Sequence, residues 1–212
     1  MNIRGWMICL GCWVSALLIQ AQDFSVVPIS DSLFAKMQGL SYPKNCTVPR
    51  HDLRHVRVLH YDAEGKVHKG ELVCNKAIAQ DIVDIFRQLY EARYPIEKIR
   101  LIDEYDADDE QSMSDNNTSS FCYRNVSGTK KLSKHAMGMA IDINTRYNPY
   151  VRKGSNGRQL ISPSNGRAYA DRSKSYPYKI VKGDLLYKLF IQHGFRWGGN
   201  WKTMKDYQHF EK

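Results

Sequence analysis

The sequence predicts an α+β fold built around a small, mostly antiparallel sheet, and three observations carry that expectation. Residues 55–74 alternate in a way that suits a β-hairpin, and residues 75–94 carry a helical apolar stripe. Strands and helices then interleave without the regular βαβ repeat that a parallel sheet would need.

Taken in order, residues 23–50 read as an irregular arm, because Pro28, Pro43 and Pro49 interrupt any regular pattern. His55 to Tyr61 alternates and is rich in Val and Leu, Asp62-Ala-Glu-Gly65 signals a turn, and Val67 to Cys74 resumes the alternation. Asn75 is a helix cap, and Ile78, Ile82, Ile85, Phe86 and Leu89 form one stripe before Pro95 stops the helix. Ile96 to Ile102 reads as a strand, and Asp103 to Glu110 as a solvated acidic loop lacking the glycine turn and placed glutamate of a calcium site. Ser119 to Val126 is a further expected strand. Residues 147–177 carry many breakers and make a long loop of the kind that borders binding sites. Asp184 caps a second helix, which Gly194 ends.

The 212 residues suit one domain with a real core, and the 42% hydrophobic content argues against disorder. The first 22 residues differ from the rest: Arg4 precedes an apolar run from Gly5 to Ile19, and Gln20-Ala21-Gln22 leads into a polar chain. That is the layout of a secretory signal peptide, and the run is too short to span a bilayer. Leu10-Gly11-Cys12 offers a lipobox, but the apolar run continues past Cys12, so free export to the periplasm or the medium is the preferred reading. The expected organisation is a signal peptide over 1–22, the arm over 23–50 and a single domain over 51–212, acting as a monomer.

Loss of residues 1–22 removes only Arg4 from the formal net charge of +9. A basic exported protein suits an anionic polymer such as a bacterial wall; export argues against nucleic acid. Cys46, Cys74 and Cys122 remain, with Cys46–Cys74 the expected disulfide. Their spacing does not suit a cysteine zinc site.

Two segments carry chemistry. In Ser133-Lys-His135-Ala-Met-Gly138-Met-Ala140-Ile-Asp142-Ile-Asn144 the strand-like end puts Ile141 and Ile143 on one face and Ala140 and Asp142 on the other. The isoleucines suit a core, which turns Asp142 toward a cleft. Near the C-terminus come Trp197-Gly198-Gly199-Asn-Trp201 and Asp206-Tyr-Gln-His209-Phe-Glu211. Glycines between two tryptophans make a narrow pocket wall, Asp206 stands three before His209, and Glu211 lies on the same strand face as His209. His135, Asp142 and His209 together supply three nitrogen and oxygen ligands and leave a fourth position open, the composition of a catalytic zinc centre.

The pattern Ser-x-His-x-x-Gly-x-Ala-x-Asp at 133–142, followed by Trp-Gly-Gly-x-Trp and Asp-x-x-His-Phe-Glu at 197–211, resembles the D-alanyl-D-alanine carboxypeptidase and L-alanyl-D-glutamate peptidase family of zinc metallopeptidases. The resemblance is clearest over 95–212. It implies a hedgehog-like α+β zinc fold, hydrolysis of peptidoglycan stem peptides, and Zn2+ held by His135, Asp142 and His209. It implies Asp206 as the general base and Arg124 as the arginine that meets substrate and the developing oxyanion. Ser133, Trp197, Gly198 and Trp201 become candidate substrate contacts, and the terminal motif looks closest to the L-alanyl-D-glutamate branch. The competing expectation is a non-catalytic wall-binding module that keeps the fold and the metal. Asp206 weighs against it, because a binder has little reason to keep an acid there.

Overall fold

The computed structural model describes residues 23–126, 128–154 and 157–212; the expected signal peptide and its Cys12 lie outside these. The hairpin forms from β2 (Leu53–Tyr61) and β3 (Val67–Asn75), paired antiparallel in full register from Leu53↔Asn75 to Tyr61↔Val67. Asn75 then ends β3 and caps α2 (Lys76–Glu91), its side-chain oxygen accepting the Ala77 amide at 3.0 Å. The predicted stripe is the buried face: Ile78, Ile82, Ile85, Phe86 and Leu89 pack on Val56, Val58 and Leu72. Each such side chain, fully buried, contributes about 1.5–3 kcal/mol relative to exposure.

Residues 23–50 are more regular than the prolines suggested. β1 (Ser25–Pro28) adds to the free edge of β2, and α1 (Asp31–Met37) follows, with the Ser30 hydroxyl accepting the Leu33 amide. Pro28 ends its strand, so it punctuates the segment without preventing it. Leu33 and Met37 join Leu53, Val73 and Phe121 in a second buried cluster.

The expected strand over 96–102 shrinks to β4 (Lys98–Ile99), which pairs in parallel with β5 (Asn117–Thr118). The acidic segment is solvated at Glu104, Asp106, Asp108 and Glu110 but is not an irregular loop. Asp103 accepts the Ser41 amide, Asp108 caps α3 (Asp109–Ser114), and Glu110 accepts the Ser162 hydroxyl and the Ser164 amide. Here carboxylates accept from amides and a hydroxyl, Asp103 and Glu110 from distant segments, a role that composition does not reveal. Residues 119–126 form no regular strand either. Their amides go to separate partners, Phe121 to the Val73 carbonyl, Cys122 to His135 and Tyr123 to Ser41, so the segment laces other elements together.

β6 (Ala140–Asp142), β9 (Arg196–Trp197) and β11 (His209–Glu211) form one antiparallel sheet with β11 in the centre. β7 (Tyr150–Lys153) lies between β8 (Gln159–Ser162) and β10 (Met204–Asp206) in another, so the long loop carries its own strands. Asp184 caps α4 (Leu185–Gln192) by accepting the Tyr187 amide. The expectation of one central sheet is therefore corrected: the architecture is α+β, but among the described residues the strands divide into three small antiparallel sheets and one parallel pair. The hairpin closes on itself locally, while the strands near the C-terminus pair across large sequence gaps and build separate sheets.

The Cys46–Cys74 expectation also fails, since Cys46, Cys74 and Cys122 are free thiols. Cys74 lies in the main core, where burial pushes its thiol up to about 12, whereas Cys46 packs against the second cluster. No helix among the described residues is long and apolar enough to cross a membrane.

Candidate metal centre

The centre arises from strand register. β6 and β11 pair antiparallel with His209↔Asp142 and Phe210↔Ile141, which puts the His209 and Asp142 side chains on one face, directly opposite. Phe210, Ile141 and Ile143 occupy the other face and are fully buried in the core. The core thus fixes the register, and the register brings an aspartate and a histidine 67 positions apart into contact.

The third group comes from the turn before β6. His135 opens a short 3-10 turn, His135–Met137, and Gly138 reverses the chain with φ of +66°. A Cβ on Gly138 would lie 2.6 Å from the Asn75 backbone nitrogen, so glycine is required by conformation and by space. The Asn75 amide donates to the Gly138 carbonyl at 2.9 Å, tying the turn to the junction of hairpin and helix.

All three side chains are buried. His135 Nε2 lies 3.1 Å from His209 Nδ1 and 3.2 Å from an Asp142 oxygen, and His209 Nδ1 lies 2.9 Å from the other Asp142 oxygen. Ligands about 2.0–2.1 Å from one tetrahedral ion stand roughly 3.3 Å apart, close to these separations. The outward ring nitrogens fix the orientation. His135 Nδ1 donates to the Ser120 carbonyl at 2.7 Å, leaving the Nε2 lone pair facing inward. His209 Nε2 lies 3.3 Å from Glu211, which turns Nδ1 inward; Glu211 is itself held by Arg196 at 2.8 Å. Residues of the right type, oriented by outer partners, fit a divalent cation.

Burial acts against the Asp142 charge, but His135 and His209 outweigh it and hold the carboxyl well below the usual range. For His209, burial works against protonation, while the hydrogen bonds to Asp142 and Glu211 raise it to about 10.

Asp206 ends β10, opposite Tyr150 of β7, and the turn Tyr207-Gln208 leads straight into β11. Its Oδ1 is shut from solvent and lacks a partner, and burial pushes its carboxyl up to about 7. An unpaired buried oxygen beside a metal-type cluster marks Asp206 as a candidate functional group.

The other predicted residues divide. Arg124 is half-buried and pairs with Asp109; its carbonyl accepts the Ser133 amide at 3.1 Å. The Ser133 hydroxyl accepts the Ala136 amide, so it braces the turn that carries His135. Trp197 is a core residue, its indole N–H donating to the Tyr207 carbonyl. Trp201 is half-buried with its ring 5.4 Å from the His209 imidazole, at the rim of the centre. Gly198 packs under the site: a Cβ there would lie 2.6 Å from the Asp206 carbonyl oxygen, 2.7 Å from its Cβ and 3.3 Å from the His209 Cβ. Gly198→Ala should therefore displace Asp206 from its place beside His209. Overpacking should also cost about 1–3 kcal/mol of stability, readable by denaturant titration.

Ser120, Asp109 and Tyr150 were not singled out from sequence. Ser120 acts through its backbone carbonyl, which has no residue-type signal.

A buried His-Asp-His cluster with an acid beside it is the type of site metal-dependent hydrolases use. Residues 127–212 match the family model described as D-alanyl-D-alanine carboxypeptidase, the family that the two motifs resemble. The matched span contains His135, Asp142, Asp206 and His209 and begins after Asp109 and Arg124. No curated protein and no solved structure matches the chain.

Proposed function

We propose that the protein is an exported zinc metallopeptidase that hydrolyses stem peptides of peptidoglycan, with a hedgehog-like arrangement of its zinc domain. The observation that carries the reading is the convergence of His135 Nε2, His209 Nδ1 and Asp142 on one buried point, with both histidines oriented from behind. The family match over 127–212 supports a peptidase, and the basic balance of the chain suits an anionic wall.

His135, Asp142 and His209 would hold the metal, which when bound supplies Lewis-acid charge and lowers the pKa of a coordinated water from about 16 toward 7. Asp206 takes the proton from the attacking water through its unpaired Oδ1 and delivers it to the leaving amine. Arg124 opposes the negative charge that grows on the scissile carbonyl oxygen, an interaction stronger in the transition state than in the ground state. Trp201, its ring beside the His209 imidazole, flanks the peptide and limits water around it.

The test is digestion of purified muropeptides followed by mass spectrometry, with and without a chelator. Stem-peptide fragments should appear, vanish with the chelator and return with added zinc. Cleavage between L-Ala and D-Glu is the favoured product pattern, and release of free D-Ala without any stem fragment would instead assign carboxypeptidase action. A zinc-loaded protein that binds wall but cleaves no muropeptide would make it a binding module.

A further inference from the structure

We propose that Asp109 is the positioning residue for Arg124: its carboxylate fixes the guanidinium beside the His135–Asp142–His209 centre, ready for the charge that develops on the peptide. The inference rests on the peptidase reading above.

Asp109 opens α3, and Asp108 caps the same helix by accepting the Gln111 amide at 3.0 Å. The helix is anchored against the ligand strands at its far end, where Met113 supplies its carbonyl to the Thr145 hydroxyl and its sulfur to the Gln208 amide nitrogen. On the other side, the Arg124 carbonyl accepts the Ser133 amide and the Cys122 amide donates to the His135 carbonyl. Both backbones that carry the pair are therefore tied to the segments bearing the ligands. Between them Arg124 Nε meets Asp109 Oδ2, with both side chains half-buried.

The neighbouring acids have other tasks: Asp103 holds Ser41, Asp108 caps α3, and Glu110 holds Ser162 and Ser164. Asp109 instead spends its carboxylate on a guanidinium. Burial pushes the Asp109 carboxyl up and the charge of Arg124 opposes that rise, while Asp142 and His135 also act on Asp109, as expected for a pair bordering the centre. An arginine held by an ion pair loses less side-chain freedom when a second partner arrives. A loosened guanidinium would still be present but misplaced when charge develops, so the loss falls on kcat.

The experiment compares the zinc-loaded protein with Asp109→Asn, Asp109→Glu, Arg124→Ala and the Asp109→Asn/Arg124→Ala double variant on a muropeptide the native protein cleaves. Asp109→Asn should lower kcat by about 10-fold to 100-fold and leave KM within about threefold, with zinc content unchanged. Asp109→Glu should recover part of the loss. The double variant should be no slower than Arg124→Ala alone, because the aspartate acts through the arginine. A native kcat in Asp109→Asn, or losses that multiply in the double variant, would overturn the proposal. Should Asp109→Asn fold poorly, Asp109→Glu and the double variant, which buries no lone charge, carry the comparison. Nitrogen-15 NMR reads the pairing without turnover: the Arg124 Nε–H should exchange slowly in the native protein and quickly in Asp109→Asn. Equal exchange in the two proteins also overturns the proposal. Absence of muropeptide cleavage by the native protein defeats the peptidase reading instead, and the exchange measurement still decides the pairing.

Discussion

Asp206→Asn should lower turnover by about 100-fold or more while zinc content stays at the native level. Asparagine has nearly the same shape but cannot take a proton, and positioned acid–base catalysis contributes about 10²–10⁴ in rate. The proposed metal ligands are untouched, since Asp206 contributes none of the three converging atoms. Burial pushes the Asp206 carboxyl up to about 7, and a base must be deprotonated to act, so kcat/KM should fall as pH drops through an apparent pKa at or below about 7. The positive charge of a bound cation moves that limb to lower pH. The stability sign is opposite. A folded-state pKa above the unfolded value makes stability greatest below about 4 and lowers it as pH rises through about 7. The substituted amide has no such proton, so the ion-free variant should melt no lower than the native protein near pH 7. A native rate in Asp206→Asn would show that Asp206 is not the base and would turn attention to Glu211.

Local elements were legible because their signals are local. Asn75 and the apolar stripe behind it define the start and the buried face of α2 without reference to anything else, whereas the helix ends at Glu91, short of Pro95, where Arg93 takes a φ of +53°. The alternation at 139–144 likewise put Ile141 and Ile143 into the core. The arm is more regular than its prolines imply because the Ser30 hydroxyl starts a helix between Pro28 and Pro43. Residues 119–126 misled for a different reason. Their apolar and polar residues resemble a strand, but their amides serve Val73, His135 and Ser41 one at a time, a pattern set by tertiary position.

At the centre, the sequence indicated which residues converge but not how. Nothing in spacing shows that His209 faces Asp142 across a strand pair; that follows from burying Phe210 and Ile141 on the reverse face. The outer contacts were less legible still. Glu211 could be placed because it lies two positions from His209 on one strand, so period-two geometry suffices. Ser120 supplies a carbonyl that any residue could supply, and Asp109 sits among acids of the same type with different partners.

On the zinc-peptidase reading proposed above, added zinc should raise the melting temperature of the native protein, and His135→Ala and His209→Ala should each lose zinc, turnover and that rise. Two ligands cannot hold the ion as three do, and ligand binding stabilises only the state that binds. The ion-free variants should also be less stable, because Asp142 keeps a buried charge with one histidine partner in place of two. Removing one partner of a buried pair costs about 3–5 kcal/mol. The Glu211→Gln variant separates ligation from orientation. It keeps all three ligands but weakens the bond that turns His209 Nδ1 inward, so zinc affinity should fall by about 10-fold to 100-fold without being abolished. Asp142 and Glu211 hold His209 protonated up to about 10, so zinc must displace that proton at neutral pH. Calorimetry in buffers of different ionisation heat should therefore detect proton release on binding, and affinity should fall as pH falls. Near-stoichiometric zinc in both alanine variants would remove these histidines from the centre. Proton release unchanged in Glu211→Gln would mean that Asp142 alone sets the His209 charge.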